Sequence, residues 1–256
     1  MAKNFYSNTS LKSILNDFSS GSQELNEKIL NYLLSIKSKD KFVTTLNLLK
    51  NNFKTFEVIQ TNLTRIEEYF YKKGLLNSKE FIKKIKLEYL KSLNKIIKEL
   101  ITLIPKDIKI ITISNSKTIL DILLELKKRK FNIEVFALES LPGGEGKIFY
   151  NYLIQSGINA HLVPDNKLKN FTKMANLTLV GMDSLLPDKW VINKIGTKRL
   201  CRMMQREKKK VIVIGVKSKI IKDMSKIDHQ ISNKRSKELI LFERIPLKYF
   251  NHILIK

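Results

Sequence analysis

After Pro105 the hydrophobic pattern changes period, and that change constrains the fold more than any other feature of the chain. Five short runs rich in β-branched and apolar residues follow, at 108–113, 133–138, 160–163, 177–180 and 211–216. Runs of this length and composition suit strands buried on both faces. Between them lie segments with helical spacing, such as Ile119, Leu120, Leu123 and Leu126 behind a Ser116 cap, and 197–206. Strands alternating with helices imply a parallel sheet joined by right-handed crossovers. In such sheets functional residues gather beyond the carboxyl ends of the strands. That rule lines up Ser114, Glu139, Asp165 and Asp183 along one rim.

Before Pro105 the pattern is helical throughout. Ser22 can cap a helix that carries Leu25, Ile29, Tyr32, Leu33 and Ile36 on one face. A second helix is expected at 42–51. A third over 53–70 carries Phe56, Ile59, Leu63, Ile66 and Phe70, and Gly74 punctuates before a fourth at 81–100. Apolar stripes at this spacing are bundle core rather than cofactor sites. The fold expected is α/β, with an N-terminal helical domain over 1–105 and a Rossmann-like parallel-sheet domain flanked by helices over 106–256. No Gly/Ser-rich linker separates them, so the halves should pack tightly.

The 256 residues are 43% hydrophobic and carry a net charge of +24. Two readings compete for that charge. One is an acidic partner such as RNA. The other is composition bias, because 41 of the basic residues are Lys and only 7 are Arg. Phosphate and nucleic-acid sites favour the bidentate fork of Arg, and the charge is spread along the chain. Bias is the preferred reading, with weak, salt-sensitive, nonspecific RNA contact as its by-product. A single cysteine, Cys201, excludes disulfides within the chain and points to a cytoplasmic location. His161, His229 and His252 lack metal-ligand spacing, so no metal site is expected, nor a cofactor. No apolar run reaches membrane-spanning length and no signal-peptide pattern opens the chain, so no membrane partner is expected.

The most informative stretch for function is 179–198, LVGMDSLLPDKWVINKIGTK. A buried strand delivers Gly181 and Asp183 at its carboxyl end. A loop with Pro187 and Trp190 follows, and Asn193, Lys194, Gly196 and Thr197 open the next helix. A carboxylate at a strand end, with an amide and an ammonium before a helix N-terminus, suits a phosphorylated small molecule. The VGxD and NKIGT pairing resembles one family. It unites the α, β and δ subunits of eukaryotic initiation factor 2B with 5-methylthioribose-1-phosphate isomerase and ribose-1,5-bisphosphate isomerase. ITISNSKTIL, ALESLPGGEG, SGINAHLVPDN and the tail LFERIPLKYFNHILI resemble further segments of that family in the same order. The resemblance covers the sheet half and fades in the helical half. It implies a helical domain on a Rossmann-like domain. It also implies a homodimer, or a hetero-oligomer with a related subunit, through the latter. The apolar segment 249–255 near the chain end supplies a second reason to expect an interface there.

What the resemblance implies about chemistry is set by departures from it. The isomerases carry a catalytic cysteine where this chain has Ser114 and a catalytic aspartate where it has Asp183. A thiol ionises near pH ~8.5, whereas a serine needs a partnered base. Phosphate-binding arginines of the isomerases align with the Ser20-Gly21-Ser22 segment, with Phe42 and with Leu141. At ~1.5–3 kcal/mol per charged hydrogen bond, losing two of them costs about 3–6 kcal/mol, roughly a factor of 10² to 10⁴ in affinity. Asp183 reads either as ligand contact or as a structural ion-paired aspartate. Asn193 and Lys194 read as ligand contacts or as loop-ordering residues. Glu145 stands where the family has a ligand-facing glutamine or glutamate, and equally suits a helix start. Lys219 matches a family lysine. The initiation factor subunits carry serine at the Ser114 position. The expectation is therefore a non-catalytic regulatory protein of that kind, able to hold a phosphorylated ligand. The alternative is a sugar-phosphate aldose-ketose isomerase.

Overall fold

Helices α1 (Leu11–Leu15), α2 (Ser22–Ser35), α3 (Lys39–Asn52) and α4 (Glu57–Leu100) precede the first strand in the computed structural model, which describes residues 10–221 and 241–256. Then β1 (Asp107–Thr112), α5 (Lys117–Lys128), β2 (Asn132–Leu138), α6 (Glu145–Gln155), β3 (Asn159–Val163), α7 (Leu168–Met174) and β4 (Leu177–Val180) alternate. The remainder holds β5 (Ser184–Leu185), β6 (Trp190–Lys194), α8 (Thr197–Arg206), β7 (Lys210–Gly215), β8 (Phe242–Pro246) and β9 (His252–Ile255). His229 lies outside the described residues.

The five apolar runs all become strands of one parallel sheet, in the order β3-β2-β1-β4-β7-β9. Alternate side chains feed two cores. Ile108, Ile110, Val135, Leu179 and Ile212 pack under α5, α6 and the end of α4. Ile111, Phe136, Val180, Val211 and Val213 pack under α7 and α8. With both faces covered, an unbroken apolar run is what each strand needs, and the alternating reading of sheet and helix holds.

Two elements differ from the sequence expectation. The sheet has a sixth strand, β9, paired in parallel with β7 from Ile212↔His252 to Gly215↔Ile255. It consumes much of the apolar segment 249–255, so Leu254 is buried inside this chain rather than awaiting a partner. The expected loop at Pro187 and Trp190 is a turn of a small antiparallel sheet, β5-β6-β8, and Trp190, Asn193 and Lys194 belong to β6. The helices expected on either side of Gly74 are both present. Helix α4 is two helical arms that fold back on each other at Gly74, whose φ 76 and ψ 179 are not helical. Arg65 on one arm thereby pairs with Glu88 on the other at 2.9 Å, and the Tyr69 and Phe81 rings stack at 4.4 Å. Ser78 Oγ donates to the Gly74 carbonyl at 2.8 Å and satisfies a backbone acceptor at the break.

The helical half has its own core, with Leu25, Ile29, Leu33, Phe42, Leu46 and Leu49 fully or almost fully buried. Phe42, aligned above with a phosphate-binding arginine, lies within it, its ring 5.3 Å from that of Phe70. The halves meet at the amino end of α2. A Cβ added to Gly21 would stand 2.4 Å from the Asn115 carbonyl oxygen, so the backbones touch directly. Buried Asn115 donates to Glu24 at 3.3 Å, and Glu24 pairs with Lys28 at 3.0 Å. Lys28 also reaches Asp17 at 2.8 Å.

Asp17 offers a pH test of this corner. Burial alone would raise its pKa, but hydrogen bonds from Lys28 and Ser20 outweigh burial and lower it from 3.8 to about 2. A depressed carboxylate stabilises the fold above its unfolded value and loses that contribution as pH falls through its folded value. Asp17→Asn is expected to cost about 2 kcal/mol in urea unfolding at pH 7. The gap between variant and parent should close steadily between pH 4 and about pH 2. A gap that does not change with pH would show that Asp17 acts by shape alone.

Candidate functional site

In the strand order given above, β1 and β4 are neighbours, yet the chain leaves β1 towards β2 on one side and β4 towards β7 on the other. Crossovers that part in this way open a crevice beyond the carboxyl ends of the two strands. Ser114 follows β1 and Asp183 follows β4, so the topology brings both to that crevice.

Ser114 holds a left-handed backbone, φ 73, as does Ser140 beyond β2, φ 66. Left-handed geometry costs a non-glycine residue about 1–2 kcal/mol and is held only where surroundings enforce it. Here they do. The Ser114 amide donates to Ser140 Oγ at 2.7 Å, and Ser140 Oγ donates to the Leu138 carbonyl at 3.0 Å. Asp165 accepts from the amides of Ser140 at 3.1 Å and Leu141 at 2.7 Å. Asp165 therefore shapes the turn after β2, and Leu141, aligned above with an arginine, is exposed.

From Ser114 the contacts run to two of the other candidate residues. Its Oγ donates to Glu145 Oε1 at 3.4 Å, and Glu145 pairs with Lys194 Nζ at 2.9 Å. Lys194 is 1% exposed, so its charge is compensated inside the protein. Glu145 is the first residue of α6, where the helix dipole also favours a carboxylate. Gly143 makes room for the pair, since a Cβ there would stand 2.3 Å from Glu145 Oε2 and 3.0 Å from Lys194 Nζ.

Asn193 and the start of α8 form a second arm. Asn193 is buried, and its Nδ2 donates to Thr197 Oγ1 at 3.2 Å, while Thr197 donates to the Lys194 carbonyl at 2.6 Å. The pairing of β6 with β8 sets Asn193 opposite Glu243, whose Oε1 accepts from the Lys198 amide at 2.8 Å. A carboxylate of the chain itself thus occupies a donor at the α8 N-terminus. Glu243, with burial first, also acts on Cys201, whose thiol is pushed up to about 12 and is not a nucleophile at neutral pH.

Asp183 meets a third group. Ser22 Oγ donates to Asp183 Oδ1 at 2.8 Å, and Lys219 Nζ lies 3.1 Å from Ser22 Oγ and 2.6 Å from the Met182 carbonyl. Lys219 is buried, and burial lowers its pKa against the opposing pull of Asp183. Ser22 is the residue that sequence reasoning missed. Expected as the α2 cap, it is instead the first helical residue, behind Gly21. Its place in the segment aligned with the family's arginines was the available signal. The arginine ion pairs among the described residues are Arg65–Glu88, Arg129–Glu125 and Arg244–Asp188, none to Asp183.

Ser22→Ala would leave buried Lys219 with one hydrogen-bond partner and Asp183 without its hydroxyl donor. A loss of about 1–3 kcal/mol in urea unfolding is expected. An unchanged unfolding midpoint would mean that the contact contributes nothing to the junction.

Comparison with known proteins bears on the whole chain. A protein of Pyrococcus horikoshii described as translation initiation factor eIF-2B subunit 2-like is 34% identical over 125 residues, 47% of this chain and 45% of that protein. Ribose 1,5-bisphosphate isomerase of Archaeoglobus fulgidus is 29% identical over 91 residues, 36% of this chain and 29% of the enzyme. The chain thus matches less than half the length of these curated relatives. The crystal structure of the Pyrococcus horikoshii OT3 translation initiation factor eIF-2B superposes with a TM-score of 0.76 at 20% identity, over 95% of this chain and 92% of that one. That likeness shows the fold, helical region and flanked parallel sheet alike. The model of the initiation factor 2 subunit family matches residues 8–248, and the chain belongs to that family.

Proposed function

We propose that this chain is a non-catalytic, initiation factor 2B-like regulatory protein. It acts in the cytoplasm through protein contacts in translation initiation, and its crevice senses a sugar phosphate or nucleotide only weakly. The observation that carries this reading is electrostatic. Lys194 is already paired with Glu145, and the α8 N-terminus already holds Glu243. A phosphate entering here must displace a carboxylate of the chain itself. Ser114 adds no acidic thiol, and the segments aligned with the isomerase arginines supply a serine-glycine turn, a core phenylalanine and an exposed leucine. A sugar-phosphate aldose-ketose isomerase is the second reading. It is favoured by Asp183 and Lys219, a carboxylate and a buried amine bridged by Ser22, which together form an acid–base pair at the rim.

Purified protein incubated with ribose 1,5-bisphosphate or methylthioribose 1-phosphate, followed by NMR, is expected to give no ketose product. Conversion by the parent that Asp183→Asn abolishes would establish the isomerase instead. Glu145→Gln frees the Lys194 charge and is expected to tighten ribose 5-phosphate binding about tenfold, worth ~1.4 kcal/mol. Unchanged affinity in Glu145→Gln would remove the electrostatic basis of the reading.

Assembly is expected to run through the sheet half, as a homodimer or with a related subunit. With β9 paired to β7, the support is the open side of this edge strand, where Ile253 is exposed. Light scattering at micromolar concentration is expected to give about twice the chain mass of 29.8 kDa. A monomer that recovers no relative from cells would count against it.

A further inference from the structure

The arm of α4 that follows Gly74 turns one face inward and leaves the other in water. Ile82 and Ile85 enter the helical core, and Leu93, Ile96, Ile97 and Leu100 enter the core under the sheet. That inward stripe is all the fold requires of an amphipathic helix. Three further leucines lie outside it: Leu76, Leu87 and Leu90 are 76%, 49% and 52% exposed. At 3.6 residues per turn they fall within a sector of about 60°, so they form one apolar line along the outward face. From Leu76 to Lys98 that face runs about 33 Å.

Charge on this face is one-signed and lies beside the leucines. Lys84, Lys91, Lys95 and Lys98 stand along one side of the line, are exposed and have no ion-pair partner among the described residues. Lys83, on the line itself, pairs with Glu80 at 2.7 Å. Composition bias explains lysines on a surface. It does not explain leucines set among them, since every other exposed position of this arm holds Lys, Glu or Asn.

We propose that this face docks an acidic amphipathic helix of another protein. The apolar residues of that helix cover Leu87 and Leu90, and its carboxylates meet the lysine row. A straight face of this length, with leucines three residues apart, suits the ridges of a second helix. Charge selects the partner. A second copy would set one lysine row against another, at a net charge of +24 apiece. RNA would answer the lysines and leave the leucines in water, because bases stack on aromatic and guanidinium faces. A surface that enters a bilayer sinks about 5–10 Å into it, and Leu87 and Leu90, already half covered, do not project so far. The inference uses no residue of the crevice and does not rest on the function proposed for it.

The test is fluorescence anisotropy on the full chain with a labelled peptide of about 22 residues, leucine on one helical face and glutamate on the rest. A scrambled peptide of the same composition, a labelled adenosine decamer RNA and phosphatidylserine–phosphatidylcholine vesicles run alongside. The amphipathic peptide is expected to bind saturably, about tenfold or more tighter than the scrambled one. Leu87→Ser with Leu90→Ser should weaken it about tenfold. Lys91→Glu with Lys95→Glu should weaken it by at least as much and flatten its salt dependence. Both pairs lie on the exposed surface, so each should leave the fold intact. Glu145→Gln should leave binding unchanged. Equal binding of the scrambled peptide, or no effect of the leucine pair, would reduce the face to diffuse charge and overturn the proposal. Tighter binding of the RNA or the vesicles, lost in the lysine pair, would assign the face to that partner and overturn it, as would no peptide binding at millimolar concentration. Light scattering that shows a smaller assembly in the leucine pair than in the parent would make the occupant a second copy and equally overturn it.

Discussion

The crevice exists because two neighbouring parallel strands send their chains in opposite directions, and nearly everything of interest hangs on what fills the space between them. Here the filling comes from the amino end of α2. Gly21 lets the backbone reach the Asn115 carbonyl, and Ser22 then stands between Asp183 and Lys219. A residue of the helical half is thereby a structural member of a site built by the sheet. The buried ammonium of Lys219 needs that hydroxyl, because the Met182 carbonyl is its other hydrogen-bond partner. Packing of the two halves and geometry of the site are therefore one problem.

A net charge of +24 invites the expectation of strong positive potential wherever an anion could bind. The crevice does not offer it. Lys194 and the helix terminus are each answered by a carboxylate at 2.9 and 2.8 Å, and buried Lys219 is linked to Asp183 through Ser22. At such distances local pairing outweighs the summed field of distant surface lysines, which solvent and salt screen over ~8 Å. Lysines without an ion-pair partner among the described residues, such as Lys54, Lys91 and Lys95, lie on the exposed surface instead, where hydration keeps their ionisation cheap. The sign and size of net charge say little about any one site until the partners of each group are known.

The parallel sheet was legible because burial on both faces forces apolar runs. Strand β4 is buried throughout, and β1 and β2 are buried from Ile110 and Val135 onward, interrupted only near their amino ends by Lys109 and Glu134. The sixth strand was not. Its residues 252–255 follow a turn at 247–249 and are only partly buried, so their pattern resembles that of any apolar tail. The hairpin at Trp190 was missed because β5 has two residues, too few for a period to register. Individual site residues were legible as chemistry but not as contacts. Sequence placed Glu145 and Lys194 in one crevice without indicating that they cancel each other, because 49 positions separate them along the chain. Ser22 lies 161 positions from Asp183, and no local rule links a helix start to a strand end at that range.

Helix α4 is shared between cores. Ile59, Leu63, Ile66, Ile82 and Ile85 serve the helical half, while Leu93, Ile96, Ile97 and Leu100 cover the sheet. Severing the chain at Pro105 would strip the sheet of part of its roof and expose strands that are buried on both sides. The arm after Gly74 carries both sets, Ile82 and Ile85 in the helical core and Leu93 to Leu100 under the sheet. Loosening the sheet therefore releases one end of a helix whose other end packs in the bundle, and protection against exchange at its two ends is tied together. Gly74 is where the chain turns between the two arms, so the same residue that ends one helix sets which faces of the pair meet, with Arg65 brought to Glu88 at 2.9 Å.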